Sequence, residues 1–259
     1  MAHEYQHMNP DRFADSAGVP WEGRHFEANP WANDDGSANP ALLAVLERFQ
    51  SGAASQTEVH EVLRESRLLV PLVADLGESG EGAHGQTVDK SADLSIVSVA
   101  SPDGQSALPV FSSVAAMTAW NSAARPVPIE TSRVALAAAS EGNGRIILDP
   151  GSVTEFVIRK PAFRSLADGS EWTHPSLDPH VKAAFRAAID SEPAVENFAI
   201  QNGDPESRLN GPEVMVFLKL QPGLVQEQLS QLLERLGASW AASEVIAAKV
   251  DSLGVKLVG

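Results

Sequence analysis

The block from Leu108 to Pro150 constrains the fold of this 259-residue chain more than any other segment. Its apolar spacing, helix caps and prolines predict a strand, a capped helix, a proline-stiffened linker, a second helix and a buried strand, in that order. These elements are Leu108–Phe111, a helix capped by Ser112 or Ser113 that runs through Trp120, the linker Arg125–Pro128, the helix Val134–Ser140 capped by Thr131, and Arg145–Leu148. Helices between two strands permit a parallel crossover.

A β-hairpin leads into this block. Leu94–Val99 predicts one strand, and Ser106–Phe111 predicts the strand that returns beside it. Between them, Pro102-Asp103-Gly104 has the residues of a tight turn, because proline presets one backbone angle and glycine takes the left-handed conformation. A hairpin pairs its strands antiparallel, so the sheet is predicted to be mixed.

Further elements are predicted on both sides of the block. Asn39 and Pro40 predict the start of a helix that Gly52 ends. The apolar string Leu68–Val73 predicts a strand, and Pro71 within it indicates an edge strand or a strand end, because proline cannot donate to a ladder. The other elements predicted before residue 193 are helices at Thr57–Glu65, Pro161–Ala167 and Val181–Ile189 and a strand at Thr154–Ile158.

The remainder of the chain reads as a separate small domain, with a boundary near Glu192-Pro193. Its predicted elements are strands at Ala194–Ile200, Val214–Leu220 and Val255–Val258 and helices at Val225–Leu236 and Ala242–Val250. We therefore predict an α/β (α+β) protein in three parts. Residues 1–38 form an irregular segment that docks on the core through Trp21, Phe26 and Trp31, residues 39–192 form an α/β domain with a mixed sheet and flanking helices, and residues 193–259 form a small α+β domain.

Composition excludes several classes of function. The net charge of −15 would repel a phosphate backbone, so we expect no nucleic-acid binding. This acidity indicates solubility first, and an acidic face for a basic partner is the alternative. Apolar runs are shorter than the ~20 residues that span a bilayer, so no membrane association is expected. The chain has no cysteine, which excludes disulfides, thiolate nucleophiles and cysteine-ligated metals. Together these features indicate a cytoplasmic protein.

Two short motifs match functional signatures without the structural context that those signatures need. His3-Glu4-Tyr5-Gln6-His7 matches the HExxH pattern of zinc proteases, but Pro10 follows closely and no apolar face supports a helix. Gly80–Gly85 matches GxGxxG, but the next segment leads to a strand rather than to a helix, and nearby carboxylates would repel phosphate. We interpret the first motif as part of the tail and the second as a loop between strands.

Other candidate catalytic groups also lack a suitable arrangement. His174 and His180 flank a turn at a spacing that suits neither helix nor strand ligation, and Asp178 between them is better explained as a helix cap. The serines lie outside any Gly-x-Ser-x-Gly elbow. We therefore assign no catalytic, cofactor-binding or metal-binding residues and expect no cofactor.

The block nevertheless resembles the SseB family of bacterial proteins, named for enhanced serine sensitivity. The residues that carry the resemblance are Leu108-Pro109-Val110-Phe111, the helix with Trp120, Arg125-Pro126 and Leu148-Asp149-Pro150, within a match from about residue 68 to 189. The lead from Gly18 to Ser37 is similar to actinobacterial members, and residues from Ala194 onward are similar to the family's C-terminal domain. The resemblance implies a fold and a link to amino-acid physiology, and supplies no active-site residues.

These observations favour a non-enzymatic interaction or regulatory protein with a protein partner whose identity the sequence does not give. The alternative is a small-molecule-binding protein or enzyme with a carboxylate site near Arg125, a residue placed between the two helices by Pro126 and Pro128. A structural salt bridge or a helix-end cap would also explain Arg125. Arg125 and Asp149 are the predicted contacts for a ligand or partner, and the oligomeric state is left open.

Overall fold

The computed structural model describes residues 31–75 and 93–258. The helices in those ranges are α1 (Pro40–Gln50), α2 (Gln56–Arg64), α3 (Val114–Trp120), α4 (Thr131–Ser140), α5 (Phe163–Asp168), α6 (Pro179–Ile189), α7 (Gln226–Ala241) and α8 (Glu244–Lys249). The strands are β1 (Arg67–Asp75), β2 (Asp93–Ile96), β3 (Val99–Ala100), β4 (Ser106–Val110), β5 (Arg125–Glu130), β6 (Arg145–Leu148), β7 (Phe156–Arg159), β8 (Val195–Asn202), β9 (Val214–Leu220) and β10 (Leu253–Val258). A 3-10 turn at Lys160–Ala162 leads into α5.

Local capping sets where several helices begin. The side chain of Asn39 accepts a hydrogen bond from the backbone N–H of Ala41, and Pro40 occupies the first helical position, so α1 begins where the sequence predicts. Ser113 caps α3, and Asp178 caps α6. Thr131 does not cap α4 as predicted. It is the first residue of that helix, and its hydroxyl donates to the backbone oxygen of Ser66 instead.

The first sheet corrects the interpretation of Arg125–Pro128 as a linker, because these residues belong to β5, an outer strand in the order β2-β1-β5. Leu69 of β1 exchanges both backbone hydrogen bonds with Phe111. Its neighbour across the sheet, Pro128, therefore sits at a position that needs no N–H, and Pro126 lies two residues away on the same side. Prolines are tolerated in an edge strand when their nitrogens point outward.

Pro71 does not mark an edge strand or a strand end, because β1 is the central strand of its sheet. It faces Pro126 across the sheet, in a pair where neither residue is required to donate. On its other side, pairing with β2 begins only at Leu72. The ladder therefore loses no hydrogen bond at this proline.

The second sheet has the order β3-β4-β6-β7 and is mixed, as predicted. The hairpin between β3 and β4 forms at the predicted turn, with Gly104 at a φ of 80°. A crossover makes β4 and β6 parallel, and β7 is antiparallel to β6. The predicted strand Leu94–Val99 is divided in two, because β2 pairs with β1 of the first sheet whereas β3 pairs with β4.

The third sheet, β10-β9-β8, shares a hydrophobic core with α6, α7 and α8. β9 and β10 are parallel, and the two helices α7 and α8 connect them. Phe185 of α6 shares a core with Val216 and Trp240, so the helix before the predicted boundary at residues 192 and 193 packs with the elements after it. The boundary itself stays a prediction.

Several predictions concern residues outside the described ranges. These are the HExxH motif, the GxGxxG loop, and the docking of the N-terminal segment through Trp21 and Phe26.

The helical spacing around Trp120 predicts that this residue lies in the core. In the structure Trp120 is only half-buried, with its ring centroid 5.3 Å from that of Phe111.

Candidate interaction groove

An open groove of about 830 Å³ lies between the end of α1, the loop 149–155 that follows β6, and the loop 203–213 that joins β8 to β9. We call it the α1 groove. Residues that line it include Phe49, Gln50, Val153, Glu155, Glu206 and Arg208. The first loop leaves the carboxyl end of β6, whose neighbour β4 is parallel to it, and this is the edge at which α/β folds place ligand sites.

Asp149 holds the first wall of the α1 groove. Its carboxylate accepts from the backbone N–H of Ser112 at 2.8 Å, from the Ser112 hydroxyl at 2.8 Å and from the Thr154 hydroxyl at 2.9 Å. Its backbone has a φ of 47°, in the left-handed region that aspartate tolerates better than most residues. These bonds tie the end of β4, the end of β6 and the loop together, so the loop has a defined shape.

Asp204 holds the opposite wall in a similar way. Its carboxylate accepts from the backbone N–H groups of Arg208, Leu209 and Asn210, at 3.3, 2.8 and 3.2 Å. Arg159 adds a charge-assisted bond of 2.6 Å to the same carboxylate. The loop therefore has its own internal scaffold and a buried anchor on β7.

Side chains from two elements tie the walls of the groove together at Val153. Arg208 donates to the backbone oxygens of Ser152 and Val153, at 3.1 and 2.9 Å. Gln50, at the end of α1, also donates to the backbone oxygen of Val153. The Val153 side chain is 76% exposed above this fixed backbone. Val153 shares the lining of the groove with Phe49 and Pro205, and a shared apolar surface, rather than a single exposed side chain, is what marks a contact site.

Arg159 connects the loop 203–213 to a buried cluster of ion pairs, which we call the charge cluster. Arg145, on β6, binds Asp251 at 2.7 Å and Asp103 at 2.7 Å, and Arg159, on β7, binds Asp251 at 3.1 Å. Glu213 accepts from the backbone N–H of Asp251 at 2.6 Å. Burial raises the pKa of Glu213 from its ordinary 4.5 to about 7. The cluster joins the second sheet to the segments that flank β9 and β10.

The two buried histidines, His60 and His174, each form a hydrogen bond with a serine hydroxyl. His60 lies 2.8 Å from the Ser165 hydroxyl, which itself donates to the backbone oxygen of Ala162, so the histidine is the donor and the serine is not activated. His174 bonds Ser176 at 2.8 Å. Burial lowers the pKa of each histidine to about 4, which leaves both neutral at physiological pH.

The two predicted contact residues lie in different surroundings. Asp149 is 1% exposed, so its observed role is to position the loop beside the groove. Arg125 is exposed on β5, where no salt bridge or helix-end cap involves it among the described residues. The structure does not bring the two together in the α1 groove, and their role as contacts stays a prediction.

Sequence reasoning missed Asp204, Arg159 and Arg208, which build the groove. The local sequence around these residues did not identify their partners, because partners such as Arg159 and Asp204 are 45 residues apart in the chain. A buried arginine in the strand Arg145–Leu148 was the one local hint, since a charge within an apolar strand requires a partner.

Comparison with protein families matches residues 41–165 to the family model described as SseB protein N-terminal domain. Curated proteins and solved structures yield no significant match. The likeness of residues 193–259 to the family's C-terminal domain, and of the N-terminal lead to actinobacterial members, stay predictions. None of the helices in residues 31–75 and 93–258 is both long and apolar enough to cross a membrane. In the same ranges, no three metal-ligating side chains come together as a metal site would require.

Proposed function

Since the chain belongs to the SseB family, we propose that it is a non-enzymatic cytoplasmic interaction protein that binds a segment of a partner protein in the α1 groove. The observation that carries this proposal is the exposed apolar lining of the groove, in which Val153 on a hydrogen-bonded loop lies with Phe49 and Pro205. Preordered loops lose little conformational entropy on binding, which favours recognition of a partner at this site.

The lining of the groove indicates the chemistry of the partner segment. Phe49, Val153 and Pro205 offer apolar surface, so an apolar side chain of the partner would fit between them. Glu155 and Glu206 place two carboxylates on the rim against one guanidinium, that of Arg208. With a net charge of −15 on the whole chain, the field favours a segment that carries lysine or arginine beside its apolar residue.

The open shape supports a protein partner over a small metabolite. Small-molecule sites bury most of the ligand in an enclosed cavity with converging polar groups. In the α1 groove the main donor, Arg208, already binds two backbone oxygens, so little of its hydrogen-bonding capacity remains for a free carboxylate. A link to serine physiology, which the family's name implies, would then act through the partner.

The proposal is tested with the full chain as bait in native lysate of the source organism, using wild type, Val153→Asp and a matched control, Val225→Asp. Val225 is 60% exposed and lies outside the groove, so it accepts the same charge without affecting the site. We expect a protein that is retained by wild type and the control and lost with Val153→Asp. Binding of a peptide from that protein should weaken with Glu206→Lys and with added salt.

A thermal-shift titration with serine, other amino acids and nucleotides distinguishes the interaction proposal from the alternative that the protein binds a small molecule. Saturable stabilisation by one of these compounds that Val153→Asp leaves unchanged would favour the small-molecule alternative. Equal capture of the same proteins by Val153→Asp and Val225→Asp would contradict the proposal.

A further inference from the structure

The strand β10 presents an open and unusually apolar edge. It lies at the end of the sheet β10-β9-β8, and no described strand pairs with its outer side. Leu253, Val255 and Leu257 are 37, 39 and 43% exposed. Each pairs with a buried residue of β9, so their side chains continue the apolar core face of the sheet beyond the helices that cover it.

Two other edge strands, β5 and β8, carry features that oppose strand addition. β5 has two prolines whose nitrogens face outward, as described above. β8 has a register shift at Val195/Asn197 and polar residues along its length. Bulges, prolines and charges are the devices by which edge strands avoid pairing. β10 has no bulge and no proline, and it carries a single charged residue, Lys256.

The pairing with β9 determines which backbone groups of β10 face outward. The oxygen of Ser252 accepts from the N–H of Val214 at 3.0 Å, so Ser252 points its backbone toward β9. Backbone direction alternates along a strand, and therefore Leu253, Val255 and Leu257 point their N–H and C=O groups toward the open edge. An added strand would satisfy all of these groups.

We propose that two copies of this chain associate through antiparallel pairing of their β10 strands, with the twofold axis at Val255. In this register Val255 faces Val255 of the second copy, and Leu253 faces its Leu257. These are the residues with outward backbone groups, so every such group finds a partner. The same register aligns the apolar side chains of both copies on the helix-covered face of a six-stranded sheet, and a self-complementary patch of this kind suits a twofold dimer.

The charges on β10 favour the register with the axis at Val255 over the register with the axis at Lys256. With the axis at Val255, each Lys256 faces Gly254 of the second copy, so the two lysines are not opposite one another. Each Lys256 ammonium also lies over its own Phe217 ring, 5.9 Å from the centroid, which directs it away from the edge. In a register that paired Lys256 with Lys256, Val255 would face Leu257 and their outward backbone groups would still pair, but two like charges would lie opposite one another at the axis.

The first test measures the mass of the full chain by sedimentation velocity from low to high micromolar concentration. We expect a concentration-dependent dimer for wild type. Val255→Lys should remain monomeric, because it sets two new charges face to face at the axis. Val258→Lys is the matched control, since Val258 is 40% exposed on the same strand but lies far from its own symmetry mate. It should dimerise like wild type.

The second test fixes the register by oxidation, which is clean because the chain has no cysteine. Facing Cα atoms in a hydrogen-bonded antiparallel pair lie about 5.5 Å apart, within reach of a disulfide. Val255→Cys should therefore form a covalent dimer. Val258→Cys should not, because its symmetry mate is six residues away along the strand, roughly 20 Å.

Three outcomes would overturn the proposal. One is a wild-type chain that stays monomeric across the concentration range. The second is a dimer that Val255→Lys leaves intact while circular dichroism shows that variant to be folded. The third is preferential cross-linking of Val258→Cys. The groove experiment reads partner capture and is independent of these results, so either proposal can fail alone.

Discussion

Arg145 and Asp251 form a bidentate ion pair, with N–O distances of 2.7 and 2.8 Å, although 106 residues separate them in the chain. Arg145 is 1% exposed and also bonds Asp103 and the backbone oxygen of Gly144. The pair therefore connects β6 of the second sheet to the segment that enters β10. Both partners are removed from water, so each depends on the other for its charge to be tolerated.

Replacing Asp251 by asparagine should strongly destabilise the fold. Asp251→Asn leaves Arg145 and Arg159 without a common carboxylate, and loss of one partner of a buried pair costs about 3–5 kcal/mol. Asp103→Asn should cost about 1 kcal/mol, because its side chain is 30% exposed and water can replace it. Urea unfolding of both variants measures the difference. Equal losses would show that burial does not govern this cluster.

Glu213 should make stability depend on pH in the direction opposite to that of a salt-bridged carboxylate. Its pKa in the folded chain is about 7 against an ordinary 4.5, so between those pH values the folded chain holds a proton that the unfolded chain releases. The contribution of Glu213 to the free energy of unfolding therefore falls as pH rises from 4.5 through 7. Glu213→Gln is neutral at every pH, so the stability of this variant relative to wild type should rise across this interval. The relative increase should reach about 3 kcal/mol at pH 8.

The Glu213 prediction is measured as the difference between two urea-unfolding curves at each pH, in which the other titrating groups cancel. A difference between Glu213→Gln and wild type that stays constant with pH would mean that the Glu213 carboxyl is ionised normally in the folded chain.

Asp149→Ala should loosen the first wall of the α1 groove. The substitution removes the acceptor of three hydrogen bonds and places alanine at a φ of 47°, which together should cost about 2–4 kcal/mol. Amide hydrogen exchange should rise over residues 150–155 more than in β6. Asp149→Asn keeps one acceptor oxygen and tolerates the backbone angle, so it should show a smaller effect. Unchanged exchange in the alanine variant would contradict the anchoring role.

The prolines of β5 should protect that edge from association. Replacing both Pro126 and Pro128 by valine would restore two outward N–H groups in a β-branched strand, and we expect new oligomers or aggregates by light scattering. Val127→Thr changes the same strand without adding a backbone donor and should behave like wild type. If the double variant stays as dispersed as wild type, the prolines have no protective function.

Short-range signals were sufficient for most elements. Asn39-Pro40, Ser113 and Asp178 start their helices as predicted, because a cap acts on backbone groups two or three residues away. The turn at Pro102-Asp103-Gly104 formed for the same reason. These features depend on residues adjacent in the chain, and they determined the order of helices and strands and the mixed character of the second sheet.

Tertiary contacts decided the rest. Arg125–Pro128 reads locally as a linker and becomes a strand only because β1 supplies a partner at the positions where proline is harmless. The string Leu94–Val99 was divided because its two ends find different partners, in β1 and in β4. The α1 groove and the charge cluster arise in the same way, since residues such as Arg159, Asp204 and Asp251 meet only after the strands that carry them have paired. Apolar spacing in the sequence marks which residues are buried, but it does not identify which distant segment supplies the complementary partner, and pairing between segments depends on that partner.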